Sequence, residues 1–492
     1  MTDSPDEGDT AGRTIMRGAQ ATALGFVIRF TARLLFLFVA GRLYGASLFG
    51  AYVLAAAMVE LAVSVGSLST KKTLFPLLDR HELAGDRPLS HILVDAALMV
   101  ILASLTLAGL FMLAAILLPA GVMPPDTAIA LFALAPMIAG QALLDLMLAA
   151  ARWKQKVRYE VVSRSLIEPY FLAAGAIAAF YLGWSGHGLL IGYWCGTLAA
   201  LAYAIWGVAN TYRGFDLAHY RPSISIFRRI AGAAAANSAT DLLSALYMRV
   251  DLYLVGILLG EGPTGIYGMA RQVTTPIRQV RQSFDGLLIP AVARTIGLRG
   301  AGGTGEALAT ATRLILVIQL PILIALFAIG DQLMALLGRG FAAGYWPLVI
   351  LASAEVLQSA LGVGDLVFVY LRPRIGLYLT MISIVVGIAT ALLLIPRFGI
   401  TGAAFALFAA YALRTILRSL VLRARFALPI PHAHLAGPFA AAAIAAGAVL
   451  LIPNDALAAA AGLALYALVL LAWLKATGQS LSLTGFAAER RI

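Results

Sequence analysis

The sequence predicts an all-α polytopic membrane protein with about 14 transmembrane helices. They are arranged as two parallel six-helix repeats, an N-lobe and a C-lobe, plus two C-terminal helices. Three observations carry this prediction. Of 492 residues, 61% are hydrophobic and 12% charged, with a mean hydropathy of +0.89; a soluble domain is roughly 45–50% apolar and about 25% charged. Apolar runs long enough to span a bilayer, roughly 20 residues each, recur along the whole chain. The basic residues fall almost wholly on one side of the topology that those runs define. Backbone crossing hydrocarbon must satisfy its own hydrogen bonds, and runs this continuous mean helices rather than a closed barrel.

Between polar, Gly or Pro punctuation, the runs fall at 19–41, 47–68, 91–118, 126–150, 160–182, 187–209, 231–259, 264–292, 306–329, 345–371, 376–396, 400–422, 434–452 and 455–475. The domain organisation follows. Residues 1–18 form a disordered cytoplasmic tail, 19–212 an N-terminal six-helix bundle, and 213–230 a cytoplasmic linker. Residues 231–425 form a C-terminal six-helix bundle, 434–475 the two extra helices, and 476–492 a second cytoplasmic tail. The first twelve residues carry Asp3, Asp6, Glu7 and Asp9 and no base. That is not the basic leader of a signal peptide, so the first run is expected to remain as an anchor. A single cysteine, Cys195, leaves no disulfide framework to build.

The charges test the span order. With the N-terminus inside, 27 of the 36 Lys and Arg residues fall on inner segments and helix ends, among them Arg164, Arg313, Arg414 and Arg418. Three (Arg42, Arg339, Arg397) fall on outer loops. The remaining six, Arg29, Arg33, Arg249, Arg271, Arg278 and Arg281, lie within spans. This is the positive-inside asymmetry; omitting one span would put bases on both sides. The net charge of +12 therefore reflects topology and suits anionic head groups at the inner surface. It is not a nucleic-acid footprint.

Two stretches repeat. Leu43, Gly45, Gly50, Tyr52 and Ala55 reappear as Leu258, Gly260, Gly265, Tyr267 and Ala270 at an offset of 215, and Gly183-Trp-Ser-Gly186 reappears as Gly399-Ile-Thr-Gly402 at 216. Nearly one register in two separate places argues for a duplicated unit; the competing explanation is glycine-rich outer turns in chance register. Six helices per unit is an even number, so the two units run in the same direction. Such parallel repeats place a transporter's substrate site near the bilayer midplane at the repeat interface.

Ionisable residues inside spans are costly and mark cavities or partners. Arg29 and Arg33 lie one turn apart on a face with Thr22, and Arg29 sits too deep to snorkel easily. In 264–292, Tyr267, Arg271, Thr275, Arg278, Gln282 and Asp285 form one stripe flanked by Thr274 and Arg281. Val280, Leu287 and Ala291 lie opposite. Such a stripe needs water or an anion facing it, unless the helix lies on the membrane surface. Pro276 predicts a kink, and Asp285 lies within pairing reach of Arg281. In 231–259, Asn237, Asp241, Ser244, Met248 and Asp251 share a face, while Arg249 projects toward another helix. Glu60, Asp145 (one turn after Gln141), Glu168, Glu355 and Asp365 stand singly in spans. Each is a candidate either for charge pairing with an arginine or for coupling to a proton or ion.

The sequence lacks a phosphate-binding loop of the GxxxxGK[ST] type, so no built-in ATPase is expected. No Cys/His cluster or HExxH predicts a metal or other cofactor, and His432 and His434 read as solvated. The outer loops are short, which disfavours an enzyme working at the outer face.

The segment Arg42-Leu-Tyr-Gly-Ala-Ser-Leu-Phe-Gly-Ala-Tyr52 resembles the "R-hydrophobic-x-G-x-x-x-Y/F-G-x-Y" turn of the oligosaccharide flippase (polysaccharide exporter) family. That family belongs to the multidrug/oligosaccharidyl-lipid/polysaccharide exporter superfamily. Arg249-Val-Asp251 with Leu254-Val-Gly256 is similar to its "iD-x-x-x-x-G" segment. Gly265-Ile-Tyr267-Gly-Met-Ala270 is similar to its "GiYslA" turn, Pro290 to the proline ending that helix, and Arg397-Phe-Gly-Ile-Thr-Gly402-Ala-Ala404 to "fGi-x-GAA". The likeness covers most of the chain and fades after about residue 430.

The resemblance implies two six-helix bundles around a central cavity. It also implies a flippase that moves polyprenyl-diphosphate-linked oligosaccharide repeat units from the cytoplasmic to the periplasmic leaflet by alternating access. The product is a surface polysaccharide: O antigen of lipopolysaccharide, capsule or exopolysaccharide. The implied setting is a bacterial inner membrane with both termini cytoplasmic. The protein works as a monomer among membrane lipids, near a polysaccharide polymerase and glycosyltransferases. Related lipid II flippases line their cavity with arginines of the first and eighth helices, which Arg29, Arg33, Arg271 and Arg278 match by helix. The expected substrate-binding set is Arg29, Arg33, Arg249, Tyr267, Arg271, Arg278, Arg281 and Gln282. The expected coupling or pairing set is Glu60, Asp145, Asp241, Asp251, Asp285 and Glu355. Arginine suits a diphosphate through its fixed charge and bidentate fork, whereas a cavity for cations should be acidic. One-for-one neutralisation by carboxylates would leave no anion site. Two alternatives stand: a cation-coupled multidrug exporter of the same superfamily, and a membrane-embedded polysaccharide polymerase or ligase.

Overall fold

The computed structural model describes residues 30–84, 88–119, 121–212, 220–284, 300–365, 367–368, 372–426, 428 and 433–477. The predicted tail at 1–18 and residues 478–492 of the one predicted at 476–492, along with Arg29, Asp285, Pro290 and His432, lie outside the described residues, while 476 and 477 belong to the last helix. The protein is an all-α polytopic membrane protein. Every predicted apolar run is helical over most of its described length, and no strand occurs among the described residues. Nine helices among them are long and apolar enough to cross a membrane. A further pair, Pro125–Leu134 and Met137–Trp153, meets the same test as one span bent by 47°; Pro136 sits at the bend. Leu435–Leu451 is apolar but shorter.

Breaks inside the longest helices fall where the sequence reading ends one span and begins the next. Pro373–Phe426 has 54 residues, which as a straight helix would reach about 80 Å, far beyond a ~30 Å hydrocarbon core. It folds back at Gly399, whose φ of 58° and ψ of −138° are non-helical. Gly45 divides Phe30–Gly66 in the same way. Among the described residues the glycines with positive φ are Gly45 (74°), Gly183 (85°), Gly260 (82°) and Gly399 (58°). All four are among the glycines that the repeat pairs, Gly45 with Gly260 and Gly183 with Gly399. A β-carbon makes that conformation costly, so a turn needing glycine recurs at matching points of the two halves.

The chain divides into two compact units, Met1–Ala245 and Leu246–Ile492. In the first unit, the tightest packing joins Glu168–Tyr181 to Gly188–Thr211. Small residues let the two backbones approach. A β-carbon on Gly192 would lie 2.5 Å from the Leu172 carbonyl oxygen, and one on Gly196 would lie 2.6 Å from that of Glu168. An additional helix, Thr70–Ala84, occupies what reads as a basic loop in sequence. Its Leu74, Leu77 and Leu78 are buried with Ile92, Leu93 and Leu146, so a helical apolar period inside a polar segment formed the element. Leu89–Leu117 instead exposes Leu102, Leu105, Leu110 and Leu113, as a helix facing lipid does.

In the second unit, Gly300–Leu337 packs on Tyr345–Ala360 and on the pair Ala433–Leu451 and Asp455–Thr477. Tyr345–Ala360 packs in turn on Pro373–Phe426. Four arginines in the inner tally prove to be interior. Arg313 and Arg418 are buried, at 5% and 0% exposure. Arg164 and Arg414 are ion-paired inside their units. Each lies within a helical segment rather than in a loop, which their sequence positions near span ends concealed. Removing these four leaves the charge asymmetry in place.

Candidate functional site

The second unit gathers charge around a broken helix. Ile224–Leu259 ends at Gly260, whose positive φ turns the chain into Glu261–Val273. That return sets Tyr267 and Arg271 against Asp251. The Tyr267 hydroxyl donates to Asp251 Oδ2 at 2.5 Å, and Arg271 Nη1 pairs with the same oxygen. Arg271 Nη2 donates to the Met248 carbonyl. Helix geometry stops at Thr274, as Pro276 foretells, and resumes over 275–284. Gln319 spans the break, donating to the Ile277 carbonyl at 2.7 Å and to Ser359 Oγ at 2.6 Å.

Beyond the break, Arg278 Nη2 meets Glu355 Oε1 at 2.9 Å. The Glu355 side chain is 3% exposed, whereas that of Arg278 is 25%. After Tyr345–Ala360 the chain tightens into a short 3-10 segment, Leu361–Gly364, that delivers Asp365. Asp365 Oδ2 takes Arg414 Nη2 at 3.2 Å and Arg418 Nη1 at 3.0 Å. Arg414 also stacks over the Tyr247 ring at 4.8 Å. Arg281 lies beside Gly362: a β-carbon there would sit 3.4 Å from Arg281 Nη1 and 3.7 Å from Arg418 Nη1. Four guanidinium groups (Arg271, Arg278, Arg414, Arg418) thus share three carboxylates (Asp251, Glu355, Asp365).

These contacts revise the sequence picture of one polar stripe facing water. Tyr267 and Arg271 are buried against Asp251, while Gln282, past the break, is exposed. Burial of Val273, Ile277 and Val280 also removes the surface-helix alternative. Asp251 finds its arginine on the next helix, which same-helix spacing does not show. Arg33 and Arg249 are half-buried.

The first unit holds a cluster of the opposite sign. Arg164 lies in a π-helical turn, Ser163–Ile167. It donates to Asp145 at 2.6 Å, Glu168 at 2.8 Å and Gln141 at 2.9 Å. Gln141 passes the network on to Glu168 at 3.0 Å and Thr197 at 2.9 Å. One cation here serves two carboxylates. Asp241 accepts from Lys72 at 2.5 Å and from Ser69 Oγ at 2.7 Å, and Glu60 is exposed. The sequence reading passed over Arg164, Arg414 and Arg418. A depth argument finds the last two: they follow the Gly399 turn by about 22 and 28 Å of helix, still within the ~30 Å core.

Residues 89–343 match the family described as "Polysaccharide biosynthesis protein". A stretch of 262 residues is 21% identical to the "Probable low-salt glycan biosynthesis flippase Agl15" of Haloferax volcanii, covering 53% of this chain and 54% of that protein. The matched chain spans about half the length of this curated relative. Among solved structures, the fold is similar to "Lipid II flippase MurJ, inward closed conformation", with a TM-score of 0.76 and 14% identity over 92% of this chain and 99% of that one. It is also similar to an inward-facing "multidrug resistance MATE family transporter of the MOP superfamily", with a TM-score of 0.65 and 15% identity over 82% and 94%.

Proposed function

We propose, from the premise that this chain belongs to the polysaccharide biosynthesis protein family, that it is a flippase for polyprenyl-diphosphate-linked oligosaccharides rather than an enzyme. The observation that carries this reading is the surplus of guanidinium over carboxylate in the second unit. In these ion pairs three carboxylates face four arginines, a basic excess that attracts a diphosphate and repels an organic cation. The fold likeness to both a lipid II flippase and a multidrug transporter is compatible with either cargo, so charge sign discriminates between them. The flippase name of the curated relative agrees with the anionic cargo.

In this reading Arg278, partly exposed beside its buried partner, contacts the diphosphate, with Arg249 of the same unit as a further contact. Arg271, held by Asp251 and Tyr267, serves the packing of its own unit. The sugars occupy the wet interior while the polyprenyl tail stays in lipid. Access alternates between the leaflets, and the repeat unit goes to surface polysaccharide assembly at a bacterial inner membrane. Carrying negative charge outward across an inside-negative membrane gains about 2.3 kcal/mol per charge per 100 mV, a sufficient drive for a charged head group.

The test is reconstitution of the full chain into proteoliposomes. Transbilayer movement of a polyprenyl-diphosphate-linked oligosaccharide, with no uptake of organic cations, is the expected result. Cation uptake abolished by Asp241→Asn, without movement of the lipid, would establish the multidrug reading instead.

A further inference from the structure

The basic surplus concentrates at one place. Asp365 offers a single oxygen, Oδ2, to two guanidinium groups, and Arg281 lies a few ångströms away across Gly362. The arrangement is poorly satisfied for a purely structural pair. Arg418 is fully buried, yet its Nε has no acceptor. Its Nη1 approaches Asp365 at 3.0 Å outside hydrogen-bond geometry. Arg414 Nε is likewise buried without an acceptor, and Asp365 Oδ1 has no donor. Buried groups of this kind are normally paired, and an arginine presents five donors in a fixed fork. One carboxylate supplies too few acceptors for these donors, while a phosphoryl group carries more oxygens and more charge. Gly362 and Gly364 bring the backbone close to the cluster: a β-carbon on Gly364 would lie 2.8 Å from Leu422 and 3.5 Å from the Arg418 stem. Tyr247, stacked under Arg414, orients that fork from the other side.

We propose that Arg414 and Arg418, gathered on Asp365, form a binding site for a phosphoryl anion, with Arg281 nearby across Gly362 and Asp365 as the internal counter-ion that the anion displaces. The site is separate from the Arg271–Asp251 and Arg278–Glu355 pairs. Two sources share the required chemistry: the diphosphate of a lipid-linked substrate, and the head group of an anionic lipid. The inference needs only the cluster itself and not the flippase reading, so loss of transport and loss of binding are separate outcomes.

The experiment titrates inorganic pyrophosphate into the full chain in phosphatidylcholine nanodiscs by calorimetry. In parallel, native mass spectrometry follows phosphatidylglycerol retained by chain taken from membranes containing that lipid. Arg414→Gln is expected to weaken pyrophosphate binding about tenfold or more, the scale of one charge-assisted hydrogen bond. Arg414→Lys should weaken it less. Asp365→Asn is expected to tighten binding, because the competing anion is gone. Gly362→Ala adds a methyl at ordinary contact distance from Arg418 and close to Arg281, so it should weaken binding without lowering thermal stability. It also keeps the test alive if Asp365→Asn folds poorly. The same ordering seen for phosphatidylglycerol alone, with no pyrophosphate binding, assigns the site to a lipid head group. If neither anion binds, or neither responds to Arg414→Gln and Gly362→Ala, the cluster is purely structural and the proposal is overturned. Weaker binding in Asp365→Asn, with the fold intact, overturns it equally.

Discussion

Asp251 and Arg271, twenty residues apart, form a buried ion pair across the Gly260 turn, and the Tyr267 hydroxyl closes on the same carboxylate oxygen. Neither charge reaches solvent to any extent, at 4% and 6% exposure. The pair therefore makes its contribution to the fold, and removing one member strands the other in a low-dielectric interior. Breaking such a pair costs about 3–5 kcal/mol, whereas replacing both members with apolar groups is often neutral. Arg271→Met and Asp251→Leu should each lower the thermal midpoint of the purified chain strongly. The double variant should recover most of the loss. A double variant as unstable as the sum of the singles would show that the two do not act as a pair.

In the first unit, one guanidinium holds two carboxylates. Arg164→Gln takes away the guanidinium that Asp145 and Glu168 share and should destabilise the first unit. Asp145→Asn leaves Arg164 with Glu168 and should cost less. Hydrogen exchange in Met137–Trp153 and Glu168–Tyr181 reads the difference, with much faster exchange expected in Arg164→Gln. Equal exchange in the two variants would contradict the shared-cation arrangement.

Backbone contact at Gly192 and Gly196 leads to a graded series. Alanine at either position drives a methyl against a carbonyl oxygen of the neighbouring helix, so both variants should destabilise the first unit by about 1–3 kcal/mol. Gly109 has open space around its β-carbon position and ordinary helical geometry, so Gly109→Ala should be neutral or stabilising by about 0.5–1 kcal/mol. Denaturation midpoints of the three variants check the order.

The two halves make a matched prediction at their turns. Gly183→Ala and Gly399→Ala both place a β-carbon in a positive-φ backbone with nothing nearby to clash, so both should cost about 1–2 kcal/mol through backbone strain alone. Thermal midpoints that treat the two turns differently would argue against their equivalence.

Much of the fold was legible because hydrocarbon forces a simple code. Apolar runs, breaks at Gly45, Pro276 and Gly399, and the repeat offsets could all be read directly, and the positive-φ glycines fall on the repeat, whereas the bend at Pro136 inside the run 126–150 was not read. The ion pairs were not legible. Spacing along a helix shows which residues share a face, but Asp251–Arg271, Glu355–Arg278 and Asp365–Arg418 each join different helical segments. Arg414 and Arg418 were read as inner-surface charges because they sit near the end of a predicted run. Their burial became visible only once Gly399 fixed where that helix begins. The helix Thr70–Ala84 was hidden by Lys71, Lys72, Arg80 and His81, which overwhelm three buried leucines in any average.

Arg278 carries the central claim, since it joins a buried carboxylate to the more exposed end of the basic cluster. The most direct measurement is the rate at which reconstituted wild-type, Arg278→Lys and Arg278→Ala chains move a polyprenyl-diphosphate-linked oligosaccharide across proteoliposomes, at matched protein levels and thermal midpoints. The expected order is wild type, then a partial rate for lysine, which keeps the charge and loses the fork, then a loss of about tenfold or more for alanine. Wild-type rates in a well-folded Arg278→Ala chain would contradict the assignment.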